Sequence, residues 1–224
     1  MVDSQSHSGI QTGAQTDKES GRDKPFRVAV FASGSGSNFQ AIIDRVQAGE
    51  LSVKLELLVC DRPGARAIER AEAAGIDCFV FRPRDYESRE AYEREIVAEL
   101  DRRGVDLIVM AGFMRLVTEE LVRPYYGRMI NIHPALLPAF KGAHGIADAL
   151  KYGVKVAGVT VHYVSLEMDA GPIIAQQAVQ VHEDDTEDTL AARLHAVEHE
   201  LLPHAIGLIR EGRVAIVGNR TMIS

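Results

Sequence analysis

Asn131 and His133 stand one residue apart in the segment NIHPALLP, residues 131–138. Residues with that spacing on an extended strand project to the same face. An amide and an imidazole projecting together suit one task, the stabilisation of an oxyanion. The amide donates an N–H without titrating, and a protonated imidazole adds a second hydrogen bond and a transferable proton. A histidine that is to be protonated near neutral pH needs an anion beside it. The loop LEMDAGP, residues 166–172, offers two candidates, Asp169 and Glu167. Asp169 lies just before a Gly-Pro pair that restrains the loop. Spacing alone does not dismiss Glu167, and aspartate is also frequent in turns for purely local reasons.

A second constellation lies near the start of the chain, where the apolar run FRVAVFA (26–32) leads into SGSGSN (33–38). Gly34 and Gly36 follow a predicted strand and precede a predicted helix. A loop of that kind can aim backbone N–H groups, with the partial positive charge of a helix N-terminus, at a phosphate. Ser37 and Asn38 add side-chain donors. Position 39 is Phe39, so the GxGxxG dinucleotide fingerprint is incomplete, and no Walker A sequence occurs. The loop therefore suits a single phosphate group; a tight turn without a ligand is the alternative.

Both constellations need a scaffold, and the apolar pattern supplies one. Strands are predicted at 26–32, 53–60, 78–81, 106–111 and 129–132, alternating with helices at 39–48, 65–74, beyond Ser88 and at 119–126. Alternation of this kind implies βαβ units. Ser88 is a fitting cap for a helix in which Tyr92, Ile96 and Leu100 recur at a spacing of four. The run DLIVMA (106–111) is apolar throughout, as expected of a strand covered by helices on both faces. After His133 the pattern changes: 156–164 and 173–181 read as two strands with no helix between them, an antiparallel pair at a sheet edge. A last helix carries Leu190, Leu194, Val197, Leu201, Ala205 and Leu208 in one stripe. Thr186 is placed to cap it, with Glu187 and Asp188 in the favourable first turn, and Pro203 is expected to kink it. The predicted fold is thus an α/β, open, mostly parallel Rossmann-like sheet with helices on both faces and an antiparallel edge pair. The carboxyl ends of its strands are the expected place for a ligand crevice.

The remaining composition narrows the class. With 224 residues, 46% apolar and 25% charged, the chain fits one globular catalytic domain, 25–224, behind a polar extension, 1–24, expected to be disordered. The extension has no apolar core of a signal peptide, and no apolar run is long enough to cross a bilayer, so a cytoplasmic protein is expected. A net charge of −7 without a basic block argues against nucleic-acid partners. Cys60 and Cys78 are the only cysteines and read as small buried hydrophobes. His133, His144, His162 and Asp169 lack HxH or HExxH spacing, so no metal is predicted.

SGSGSN, AGFMRLV (111–117), NIHPALLPAFKG (131–142), VTVHYV and MDAGPII occur in this order and with sensible spacing. Together they resemble the phosphoribosylglycinamide formyltransferases of purine biosynthesis, from about Phe26 to Gly212. The resemblance implies a formyltransferase fold and a formyl transfer from 10-formyltetrahydrofolate, the co-substrate, to a glycinamide ribonucleotide. Both partners are then small molecules, with the chain a monomer or a homodimer. It implies Asn131, His133 and Asp169 as the catalytic set, and Gly36, Ser37 and Asn38 as holders of the ribonucleotide phosphate. Glu198 would face the glycinamide end. Met114, Arg115, Leu116 and Val117, with Asn131, would line the folate pocket, and Arg89 and Arg115 would meet the folate glutamate carboxylates. His162 matches a position behind the site wall, without a catalytic role. The loop after LLP departs from the family: a GLHTH-like stretch in many relatives is replaced by Gly142-Ala143-His144-Gly145-Ile146.

Three rival activities remain. Formyltetrahydrofolate deformylase shares the Asn-His-Asp set but carries an added N-terminal regulatory domain, for which 24 polar residues do not suffice. Methionyl-tRNA formyltransferase needs a basic C-terminal RNA-binding domain, while only about 12 residues are expected beyond the last helix. A non-catalytic phosphate-binding module would have no use for Asn131, His133 and Asp169 together.

Overall fold

Five consecutive residues, Arg27–Phe31, form strand β1, and their side chains divide cleanly between the two faces of a sheet. Val28 and Val30 enter one apolar cluster, Ala29 and Phe31 the other. That alternation is the period-two geometry of a strand buried on both sides. The computed structural model describes residues 24–224. Apart from Lys24, the extension expected to be disordered lies outside the described residues.

β1 is followed by α1 (Ser37–Gln47), β2 (Lys54–Cys60), α2 (Arg66–Ala73), β3 (Cys78–Val80) and α3 (Arg89–Arg103). Next come β4 (Leu107–Met110), α4 (Glu119–Val122), β5 (Met129–His133) and α5 (Gly145–Tyr152). The chain ends with β6 (Val156–Tyr163), β7 (Ile173–Gln180), α6 (Glu187–Arg210), β8 (Val214–Val217) and β9 (Arg220–Ile223). Seven strands form one sheet in the order β3-β2-β1-β4-β5-β6-β7. The first five run parallel, whereas β5–β6 and β6–β7 pair antiparallel. Phe39 and Ile42 of α1, Ala67 of α2 and Leu194 of α6 pack on one face. Tyr92, Ile96 and Leu100 of α3, with Leu121 of α4, cover the other.

Local chemistry accounts for the helix starts. The Ser88 side chain accepts the amide N–H of Ala91, and Thr186 forms a reciprocal capping box with Thr189. α6 runs through Pro203 as one helix, without the interruption that residue type favours. Three of these elements were not expected from the sequence. α5 begins behind His144, which provides no side-chain cap, so the usual start signal is missing. β8 and β9 form a hairpin across Gly218-Asn219, with Gly218 at φ 62. A two-residue turn of that kind is a legible hairpin signal. Thr221 Oγ1 donates to the Ile173 carbonyl at 2.6 Å and ties the hairpin to β7.

The strand order reverses between β1 and β4, because the connection from β1 goes to one side and that from β3 returns to the other. The loops after these two strands therefore diverge and leave a crevice at their carboxyl ends.

Candidate active site

The crevice is a cleft of about 880 Å³ that contains the glycine loop, the residues after β4, the end of β5 and the 165–169 loop. Its floor is cross-tied: Ser33 N donates to the Gly112 carbonyl at 3.1 Å, and Met114 N donates to Ser33 Oγ at 2.8 Å. The loops after β1 and β4 thus behave as one rigid rim.

Gly36 is the N-cap of α1 and holds φ 68, the left-handed region that costs an L residue energy. A Cβ there would also lie 2.8 Å from Ala67 Cβ, so α2 packs on the place where any side chain would be. Arg70 braces the loop from below, with Nε donating to the Ser35 carbonyl at 2.8 Å. The first-turn amides of α1, from Ser37 onward, have no partner within the helix and point along its axis. Ser37 and Asn38 both line the cleft. The Asn38 side chain, however, is spoken for: its Nδ2 donates to Glu198 Oε2 at 2.8 Å. Its Oδ1 is buried without a partner.

Glu198 is buried on α6 and also accepts a hydrogen bond from His195 Nδ1 at 2.9 Å. That bond raises the pKa of His195 above the ordinary imidazole value, against the opposing effect of burial. Glu198 therefore sits on the glycine-loop side of the cleft. His195 was not foreseen, although an i, i+3 pair on one helix face is a readable signal.

At the other end, β5 delivers Asn131 and His133 together. Both line the cleft, and His133 is only 5% exposed. β6 brings His162 opposite Asn131 in the antiparallel register. His162 Nδ1 lies 2.9 Å from the Tyr163 carbonyl, an acceptor only, so Nδ1 carries a proton. Burial lowers the pKa of His162, which favours the neutral ring. Its Nε2 is then an acceptor and receives Asn131 Nδ2–H at 3.3 Å. The amide is thereby oriented, and its second N–H is left for the cleft.

Asp169 lies close to both histidines. Its Oδ2 is 3.7 Å from His133 Nδ1 and its Oδ1 is 3.7 Å from His162 Nε2, both beyond hydrogen-bonding length. Oδ2 accepts instead from the backbone N–H of Gly142 at 2.8 Å. Asp169 holds φ 49, a conformation aspartate tolerates better than most residues, which turns its side chain inward. Gly171 lets this loop close on β6, since a Cβ there would lie 1.8 Å from the Tyr163 carbonyl oxygen. Glu167, the competing carboxylate, is exposed and paired with Lys141 at 3.2 Å. His133 Nε2 lies 2.8 Å from the Phe140 carbonyl and donates to it.

Between the two ends run Met114, Arg115, Leu116 and Val117, all on the cleft wall. Met114 and Leu116 are 60% and 58% exposed and give this wall an apolar surface. Arg89 donates to the Leu116 carbonyl at 3.4 Å, and Arg115 Nε donates to Asp61 Oδ2 at 2.7 Å. Among the described residues, no group of three His, Cys, Asp or Glu side chains is arranged to hold a metal ion, and no helix is long and apolar enough to cross a membrane.

A glycine loop at a helix N-terminus and an amide-imidazole-carboxylate cluster face one cleft of an open α/β sheet of the formyltransferase fold. Comparison with known proteins agrees. Residues 26–206 match the formyl transferase family. The chain is 49% identical over 180 residues to the phosphoribosylglycinamide formyltransferase of Bacillus subtilis, spanning 80% of this chain and 92% of that protein. Glycinamide ribonucleotide transformylase 1 from Symbiobacterium toebii superposes with a TM-score of 0.87 at 44% identity, over 89% of this chain and 94% of that one. A formyltetrahydrofolate deformylase from Pseudomonas syringae pv. tomato is a more distant likeness. Its TM-score is 0.81 at 28% identity, over 90% of this chain but 66% of that one. The chain belongs to the formyl transferase family, in the branch whose members are named phosphoribosylglycinamide formyltransferase.

Proposed function

We propose that the chain transfers the formyl group of 10-formyltetrahydrofolate to the amine of 5'-phosphoribosylglycinamide, in de novo purine synthesis. The products are formylglycinamide ribonucleotide and tetrahydrofolate. The observation that carries this reading is the layout of the cleft: an anion cradle at Gly36, Ser37 and Asn38, the Asn131–His133–Asp169 cluster, and an apolar wall between two arginines. A phosphate-bearing amine and an apolar, carboxylate-tailed donor fit these parts at once.

In this mechanism the neutral amine attacks the formyl carbon and a tetrahedral intermediate forms. The second N–H of Asn131 and a protonated His133 stabilise its oxyanion. Asp169 balances the charge on His133 and helps pass the proton lost by the attacking amine, by way of water, to the departing folate nitrogen. For His133 to donate through Nε2, the Phe140 carbonyl must leave it, so substrate binding is expected to move the loop after Pro138. Alignment of two substrates in one cleft supplies much of the acceleration. Glu198, held beside Asn38, accepts hydrogen bonds from the glycinamide end of the ribonucleotide.

The test is folate release from 10-formyltetrahydrofolate with and without glycinamide ribonucleotide. Release that depends on the ribonucleotide, with stoichiometric formylated product, is expected. Release at the same rate without it would make the chain a deformylase.

A further inference from the structure

Asp61 follows β2 and is withdrawn from solvent, its side chain 0% exposed. A carboxylate so placed is costly unless it is paired. Its Oδ2 accepts from Arg115 Nε at 2.7 Å, while its Oδ1 is buried with no partner. Arg115 is the complementary case: its side chain is 41% exposed, and its Nη1 and Nη2 donate to no group among the described residues. The guanidinium is gripped by its inner nitrogen, and the fork that suits a carboxylate is left open on the cleft wall. Arg89 and Arg115 line one pocket with the apolar side chains of Met114 and Leu116.

We propose that Asp61 is a positioning residue for Arg115: it holds the guanidinium so that its free fork meets a carboxylate on the tail of the formyl donor. The role rests on the folate reading given above. Arg side chains have many rotamers, and holding one before the ligand arrives removes an ordering cost from binding. Asp61 also places a negative charge near the tail, which works the other way. The predicted net gain comes from orientation, because the charge of Asp61 is already spent on Nε.

The experiment compares two formyl donors, one bearing the glutamate tail and one whose benzoyl group ends in a simple amide (the N-methylamide of 10-formyl-5,8-dideazapteroic acid), so that no carboxylate remains. Asp61→Asn keeps the side-chain volume. It is expected to raise KM for the tailed donor about five- to tenfold, less than the loss of a whole charge-assisted hydrogen bond, because the asparagine oxygen still accepts weakly from Arg115 Nε. KM for the tail-less donor should change less than twofold, as should kcat. Equal loss with both donors would mean a merely structural role, and an unchanged or lower KM for the tailed donor would mean that Asp61 only neutralises Arg115; either overturns the proposal. Arg115→Lys, an exposed change that keeps the charge but not the fork, should lose the same preference even if Asp61→Asn fails to fold. If Arg115→Lys keeps the preference, the positioning role falls. Turnover of the tail-less donor in the unaltered enzyme then shows separately whether formyl transfer itself stands.

Discussion

The two ends of the cleft are built by opposite means. The proposed anion cradle is a contiguous stretch, Ser33 to Asn38, whose backbone amides are held by one glycine conformation and the packing of α2. The proposed acyl-transfer end is assembled from β5, β6 and the loop before β7, which meet through antiparallel pairing. Its groups are side chains, and two of them are imidazoles buried beside one carboxylate. A backbone site is insensitive to pH and to most substitutions outside the glycines. A side-chain site can move protons, and each member depends on its neighbours. The contrast predicts that damage at one end should fall on chemistry and damage at the other on binding.

The largest expected effect tests the first half of that contrast. His133→Ala removes the only cleft imidazole that stands beside Asn131 on β5. Loss of an oxyanion donor and a proton donor together should lower kcat by roughly 10³-fold or more. Ribonucleotide affinity, measured calorimetrically, should change less than about threefold, since the cradle lies elsewhere in the cleft. A variant that keeps normal turnover would remove His133 from the mechanism. One that loses ribonucleotide affinity to the same extent would erase the division between the two ends.

That division also explains what could be read from the sequence. The strands and helices up to β5, and α6 after them, were legible, because apolar runs, Ser88 and Thr186 are local signals. The antiparallel pair β6–β7 was legible from two apolar runs with no helix between them. α5 was not, for want of a capping side chain at His144. At the glycine loop, neighbours in sequence are neighbours in space, and the cradle geometry follows almost from spelling. At the other end, Asn131 and His133 were visible as a pair, but the choice between Asp169 and Glu167 was not. It is set by φ 49 at Asp169 and by the closeness of Gly171 to Tyr163, neither of which leaves a mark in spacing. The engagement of Asn38 with Glu198, 160 positions away, was equally invisible. So was the part of His162 in orienting Asn131, which needs the β5–β6 register.

A middle-sized effect is expected from Gly36→Ala, which tests the backbone half. The new Cβ meets both the left-handed φ of 68 and Ala67 Cβ at 2.8 Å. The conformation alone costs on the order of 1–2 kcal/mol, and the loop must shift away from α2. KM for the ribonucleotide should rise about tenfold or more, kcat at saturation should fall much less, and the melting temperature should drop by several degrees. Gly34→Ala is the control, because its Cβ would meet nothing within 4 Å and its φ is ordinary. If both variants bind the ribonucleotide equally well, the loop is a turn and not a cradle.

The smallest effect probes a titrating histidine on the backbone side. The bond to Glu198 raises the pKa of His195, so the folded protein binds this proton more tightly than the unfolded chain does. The stabilisation is therefore complete below the unfolded histidine value of about 6.5 and is lost as pH rises through the higher folded value. His195→Gln can still donate to Glu198 but carries no charge at any pH. The unaltered protein should melt higher than this variant near pH 5.5, and the gap should close by about pH 9. With the His195 side chain half exposed, solvent screening keeps the gap small, roughly 0.5 kcal/mol or less. A gap of the same size at every pH would show that His195 contributes packing alone. The anion end would then be free of titration, and the contrast with the acyl-transfer end would be complete. A gap that closes as expected puts one proton-dependent charge beside the cradle, so ribonucleotide affinity should weaken over the same pH range in which the gap disappears.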